Sequence, residues 1–141
     1  MRRLLFANVG LLGALAIGAS AGTLEVRVTD LRSTAGNVMV AVVDSEAGWK
    51  DRAPAVAQLI LPVREGEIAF TLDALKQGQY AIRVFHDQNG NGELDSNLLG
   101  MPREPWGFSN DATGAFGPPR WSDARFSLEG DGARQTIRLN H

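Results

Sequence analysis

The sequence contains no cysteine. That excludes disulfide staples, thiol nucleophiles, zinc–thiolate centres and a lipid-modified N-terminal Cys. It also lacks a basic excess. The 14 basic residues are scattered against 16 acidic ones, for a net charge of −2 with His neutral, which argues against nucleic acid as a partner. There is no Gly-x-Ser-x-Gly elbow, no His-Glu-x-x-His pair and no phosphate-cradling Gly-Lys motif. Nucleophilic catalysis therefore has no visible residue set, and no catalytic residue is assigned. Internal repeats, low-complexity tracts and long amphipathic helical patterns are missing as well. What remains is an ordinary globular composition, 44% hydrophobic over 141 residues. It suits one domain with a core large enough to need no staples.

The one long apolar run lies at the start. Arg2-Arg3 precede Leu4 to Ile17, and Ala19-Ser20-Ala21 reads as a small-x-small cleavage site. The run is shorter than the ~20 apolar residues of a spanning helix. We read residues 1–21 as a cleaved export signal. Residues 22–141 are then one periplasmic or secreted bacterial domain with no membrane span after cleavage.

Within that domain the dominant signal is period-2 alternation. Leu24, Val26 and Val28 alternate with Glu25, Arg27 and Thr29. Val38 to Val43 is nearly continuous and Val-rich, as expected of a central strand buried on both faces. Ser45 to Pro54 is a loop or one helical turn, with Trp49 as its core anchor. Val56 to Val63 is a strand, with Pro62 marking an edge or end. Glu67 to Leu72 is another, followed by a turn over Asp73 to Gly78. Tyr80, Ile82 and Val84 alternate with Ala81, Arg83 and Phe85. Ala124 to Leu128 and Thr136 to Leu139 complete the set around an Asp131-Gly132 turn. About seven strands joined by Gly- and Asp-rich turns predict an all-β, antiparallel sandwich, immunoglobulin-like or transthyretin-like.

Residues 87–122 break this rhythm. They carry no convincing strand and hold Pro102, Pro105, Pro118 and Pro119, four of the six prolines. Loops this long are uncommon in compact domains and are usually functional or disordered. Trp106, Phe108, Phe116 and Trp121 make disorder a poor fit.

The loop opens as an oxygen cage. Asp87, Asn89 and Asn91 take positions 1, 3 and 5 of a calcium loop, and Gly92 takes the sharp turn at 6. Glu93 offers its backbone carbonyl at 7, Leu94 is the apolar residue at 8, and Asp95 stands at 9. Position 12 should be a bidentate Glu and is Leu98. The missing carboxylate must come from elsewhere, with Glu104, Asp111 and Asp123 as candidates, or from water. Two charged local ligands predict modest affinity, towards the micromolar-to-millimolar range of extracellular sites. Asn89-Gly90 and Asn91-Gly92 are also type I′ hairpin signals and would turn the chain without a metal. Glu93 to Gly100, however, does not alternate as a returning strand should.

His86 and Asp87 are neighbours on a strand, so their side chains point to opposite faces and form no acid–base dyad. His86 is expected to pack or hydrogen-bond beside the loop, and His141 to be mobile at the chain end. The four aromatics would form either a stacking face for sugars or peptides or a small core beneath the loop. Spacings such as Trp106-Gly107-Phe108 favour packing.

Three stretches together resemble an uncharacterised family of small secreted bacterial proteins, a domain of unknown function. One runs from Gly78-Gln79-Tyr80-Ala81 to His86-Asp87-Gln88-Asn89-Gly90-Asn91-Gly92-Glu93-Leu94-Asp95. The second is Gly100-Met101-Pro102-Arg103-Glu104-Pro105-Trp106-Gly107-Phe108-Ser109-Asn110. The third joins Phe116-Gly117-Pro118-Pro119 to Asp123-Ala124-Arg125-Phe126. The resemblance implies an exported β-sandwich with no assigned activity. The segment from Tyr80 to Asp95 also resembles calcium-binding sandwich repeats of bacterial surface adhesins. The expectation is thus a non-enzymatic, calcium-stabilised binding or envelope module with a protein, peptide or glycan partner. The alternative is a metal-dependent enzyme or small-ligand carrier built on His86, Asp87 and nearby carboxylates.

Overall fold

A computed structural model describes residues 21–141. The expected export signal lies outside the described residues except for Ala21, which is the first residue of strand β1 (Ala21–Leu31). The other strands are β2 (Asn37–Val43), β3 (Ala57–Pro62), β4 (Gly66–Lys76), β5 (Gly78–Asp87), β6 (Trp106–Phe108), β7 (Phe126–Leu128) and β8 (Ala133–Arg138). Two helical turns, α1 (Glu46–Trp49) and α2 (Trp121–Ala124), and a 3-10 turn at Ser109–Asp111 complete the described elements.

The strands form two sheets, as the alternation predicts. One has three strands in the order β4-β1-β8. The other has five: β3-β2-β5-β6, with β7 also pairing β5. The pairings are antiparallel except one, since β1 and β8 run parallel from Leu24↔Ala133 to Thr29↔Arg138. Alternate residues from both sheets meet in the core: Leu24, Val26 and Val28 of β1, Val38, Val40 and Val42 of β2, Ile82 and Val84 of β5, and Ile137 of β8. Each such side chain, fully removed from water, contributes roughly 1.5–3 kcal/mol. A satellite cluster of Val43, Trp49, Ala81 and Ala124 sits at one end. There Trp49 is the expected anchor, on a turn capped by Ser45, whose hydroxyl accepts from Gly48 N at 3.0 Å.

The structure corrects several sequence expectations. The predicted turn at Asp73–Gly78 is mostly strand, because β4 continues to Lys76 to stay paired with Ala21 and Gly22. Ala124 is not in a strand but ends α2, its side chain buried all the same. The supposedly strandless stretch 87–122 contains β6, paired through Phe85↔Trp106 and Arg83↔Phe108. The Val38–Val43 strand is buried on both faces only at its end: on the outward register Val43 is buried in the satellite cluster, whereas Met39 and Ala41 are half-buried. His141 is docked rather than loose, with its Nε2 2.9 Å from the Asp30 carbonyl.

The outer faces of the two sheets differ in chemistry. The three-stranded sheet presents ion pairs to solvent, Arg27–Glu67 at 3.1 Å and Arg134–Glu25 at 3.3 Å. The five-stranded sheet presents an apolar row across four strands, Ile60–Met39–Phe85–Trp106, set by the register.

Candidate functional site

Strand β5 fixes which side of the sandwich each candidate residue faces. His86 shares its register with core residues Ile82 and Val84, and it is fully buried. Its Nε2–H donates to the Ala35 carbonyl at 2.5 Å; a carbonyl can only accept, so this assigns the proton to Nε2. Nδ1 is buried without a partner among the described residues. Asp87 shares its register with Arg83 and Phe85, on the outer face. The two neighbours therefore point apart, as strand geometry requires, and form no dyad.

After Asp87 the chain leaves the sheet and returns at Pro105, whose carbonyl accepts from His86 N at 2.8 Å. The excursion hangs on two buried carboxylates, one on each side of its neck. Asp87 is 2% exposed and Glu104 is 5% exposed. Asp87 accepts from Asn91 N at 3.2 Å and from Gly92 N at 2.8 Å. Glu104 accepts from Gln88 N at 2.7 Å, Asn89 N at 3.4 Å and Asp95 N at 3.1 Å. Burying two carboxylates is costly unless they are hydrogen-bonded, and here five backbone N–H groups of the loop supply those bonds.

Gly36 makes room for this neck. Its φ is +70°, and a Cβ there would collide with the Asp87 carbonyl. Gly92, at the sharp turn, has φ +80° in open space.

The remaining cage residues converge above Asp87. The Asn89 and Asn91 amides both donate to the Asp95 carboxylate, the latter at 2.8 Å. Asn89 Oδ1 accepts from Asn91 N at 3.1 Å, and Asn91 Oδ1 accepts from Glu93 N at 3.0 Å. Of the three proposed supplementary carboxylates, only Glu104 joins the loop. Asp111 accepts from Arg138 N at 2.9 Å, and Asp123 pairs with Arg120 at 3.1 Å. No cluster of three or more His, Cys, Asp or Glu side chains suited to a metal occurs among the described residues; the converging set is mixed carboxylate and carboxamide.

The aromatics divide. Phe108 packs edge-on against Trp49 at 5.6 Å and lies 5.5 Å from Trp106. Trp121 packs on the satellite cluster. Phe116 is fully exposed. Phe108 and Trp121 thus pack on the satellite cluster, Trp106 lies beside Phe108 on the outer face, and Phe116 stands apart in solvent.

Two residues not singled out from the sequence pin the second half of the long stretch. Ser109, fully buried, accepts from Ile82 N at 2.9 Å and donates to the Ala124 carbonyl at 2.6 Å. Asn110 donates to the Asp123 and Arg125 carbonyls at 3.1 and 2.8 Å.

A groove of about 630 Å³ lies on the outer face of the five-stranded sheet. Met39, Ile60 and Phe85 line it, with Asp51 and Gly92 among its other boundaries. Arg83, also in the lining, donates to the Gly48 carbonyl at 2.9 Å and to Asp51 at 3.1 Å, and its guanidinium sits 5.1 Å from the Trp49 ring centroid. The signal for this surface was the apolar residues on the outward register, Met39 and Phe85, which a simple half-buried strand would not carry.

The family model described as an uncharacterized protein conserved in bacteria (DUF2141) matches residues 26–137. No curated protein and no solved structure matches the chain. Among the described residues no helix is long and apolar enough to cross a membrane.

Proposed function

The chain belongs to that bacterial family, and from this premise we propose that it is an exported, non-enzymatic β-sandwich module whose loop 87–104 is held as a rigid platform and stiffened by calcium. One observation carries the reading: the polar side chains of Asp87, Asn89, Asn91 and Asp95 are hydrogen-bonded within the loop and to one another, Asp87 in a buried position and the two Asn amides at the exposed rim.

The donor set fits a hard cation in kind. It consists of oxygens from Asp87, Asn89, Asn91 and Asp95 with the Glu93 carbonyl. Both Asn amides meet Asp95 through nitrogen, and a half-turn of each amide would direct oxygen there instead, as a cation between them would require. Glu104 is committed to three backbone N–H groups, so it braces the loop and does not ligate. That leaves the twelfth position unfilled and supports an affinity in the micromolar-to-millimolar range. When bound, calcium would supply charge neutralisation and cross-linking, with no chemistry of its own.

The non-enzymatic reading is supported by the engagement of both neck carboxylates with backbone N–H groups and by the placement of His86 on the opposite face. The partner-facing side is the loop side of the five-stranded sheet, where the apolar row lies. Calorimetry with calcium tests the metal, and melting temperature with and without a chelator tests its role. Heat of binding and a melting point lowered by chelation are expected; neither appearing rejects the calcium part.

A further inference from the structure

Beyond that reading, the far end of the loop has chemistry of its own. Leu98 is fully exposed, Leu99 is 87% exposed and Met101 is 60% exposed. The stretch Ser96-Asn97-Leu98-Leu99-Gly100-Met101-Pro102 carries no charge. We propose that this tip is a lipid-contacting knuckle, which inserts its apolar side chains among the acyl chains at a membrane surface.

Three features favour a bilayer over a protein groove. First, its two neighbouring leucines are both extended into solvent and neither lines a groove with the other; a fluid phase accommodates both at once. Second, much of its backbone is already paired. Asn97 Oδ1 accepts from Leu99 N at 2.9 Å and from Met101 N at 3.0 Å. Asn97 N donates to the Met101 carbonyl at 2.8 Å, and Gly100 N to the Asn97 carbonyl at 2.9 Å. Hydrocarbon penalises unpaired N–H groups by several kcal/mol each, and four of the tip's N–H groups arrive paired. Third, Arg103 stands at the base of the tip, exposed and without an ion-pair partner among the described residues. Its backbone is fixed by its N–H to the Asp95 carbonyl at 2.7 Å. The Asp95 carboxylate is itself occupied by the two Asn amides. An Arg just outside an apolar tip sits at the depth of lipid phosphates, where a cation is favoured.

The chain's lack of cysteine makes the test direct. Single variants Leu98→Cys and, on the polar sheet face, Thr136→Cys are labelled with a polarity-sensitive fluorophore. They are mixed with phosphatidylcholine vesicles, with and without phosphatidylglycerol. Site-specific emission reports the tip whatever the N-terminal apolar run does. A blue shift at 98 and none at 136 is expected. Adding Arg103→Ala should cost about fivefold in apparent affinity for the anionic vesicles. Leu99→Ser with Met101→Ser should cost on the order of 100-fold for both vesicle types. The shift should persist in chelator, because Asn97 and not a metal shapes the tip. No shift at 98 with either vesicle overturns the proposal. So does a shift that appears only with envelope protein extract, which would make the tip a protein contact. A shift abolished by chelator overturns it too, by assigning the contact to a metal bridge. Failure of calcium to bind in calorimetry would leave this proposal standing.

Discussion

Asp87 and Glu104 face the same loop from opposite sides of its neck, and between them they hold five of its backbone N–H groups. Hydrogen bonds to charged groups are worth about 1.5–3 kcal/mol each and are non-additive when they share an acceptor. The neck is therefore the strongest polar feature of the excursion.

Glu104→Ala should lower stability by about 3 kcal/mol, since it strands three N–H groups. Hydrogen exchange should accelerate at Gln88, Asn89 and Asp95 while the β2 and β5 amides stay slow. Glu104→Gln, which keeps an acceptor but loses the charge, should fall between. Equal exchange in all three proteins would remove Glu104 from its bracing role.

The two glycines of the site should respond unequally. Gly92→Ala places a Cβ in open space at φ +80°, and its cost should be the left-handed penalty of about 1–2 kcal/mol. Gly36→Ala adds a collision with the Asp87 carbonyl and should cost about 3 kcal/mol or more. Urea midpoints measure both; similar values would contradict the packing of the 32–36 turn onto the neck.

Asp95→Ala should abolish the calcium response in calorimetry. Without metal it should cost only about 1 kcal/mol, because the two Asn amides it frees are exposed and water replaces their acceptor. A calcium titration unchanged from that of the parent protein would place the ion elsewhere.

Acid stability should depend on Asp30. Its carboxyl is held below the ordinary 3.8, first by hydrogen bonds from Arg32, working against desolvation, and then by the charges of Arg32, His141 and Arg138. A folded value below the unfolded one gives stabilisation that is complete above the unfolded value. It is lost as pH falls through the folded value. Asn tolerates the left-handed backbone at this position, φ +66°, so Asp30→Asn isolates the charge. Melting curves of the two proteins should differ above about pH 4 and converge in stronger acid. A constant gap at all pH values would assign the effect to something other than ionisation.

The strands with one apolar register were legible from sequence, because burial of one face writes alternation into residues such as Leu24, Val26 and Val28. β6 was not. It is three residues long, and its inward position is Gly107, so no apolar periodicity marks it. The cage residues were found by spacing, since successive ligand positions lie close in the chain. The bracing role of Glu104 follows from the return of the chain to β5, which spacing does not encode. The Ser109 and Asn110 pins reach across to β5 and to residues 123–125 in the same way. The exposed tip was hidden because Leu98 and Leu99 look the same in a sequence whether they face a core or solvent.

One pairing also bears on the order in which the sheets can form. β8 lies beside β1, so the last described strand is the neighbour of the first. A polypeptide ending before Ala133 leaves Leu24 to Thr29 with β4 on one side and no neighbour on the other. Contacts of such separation fold slowly. The three-stranded sheet is therefore expected to be completed late, by a strand that docks beside a β1–β4 pair already able to form.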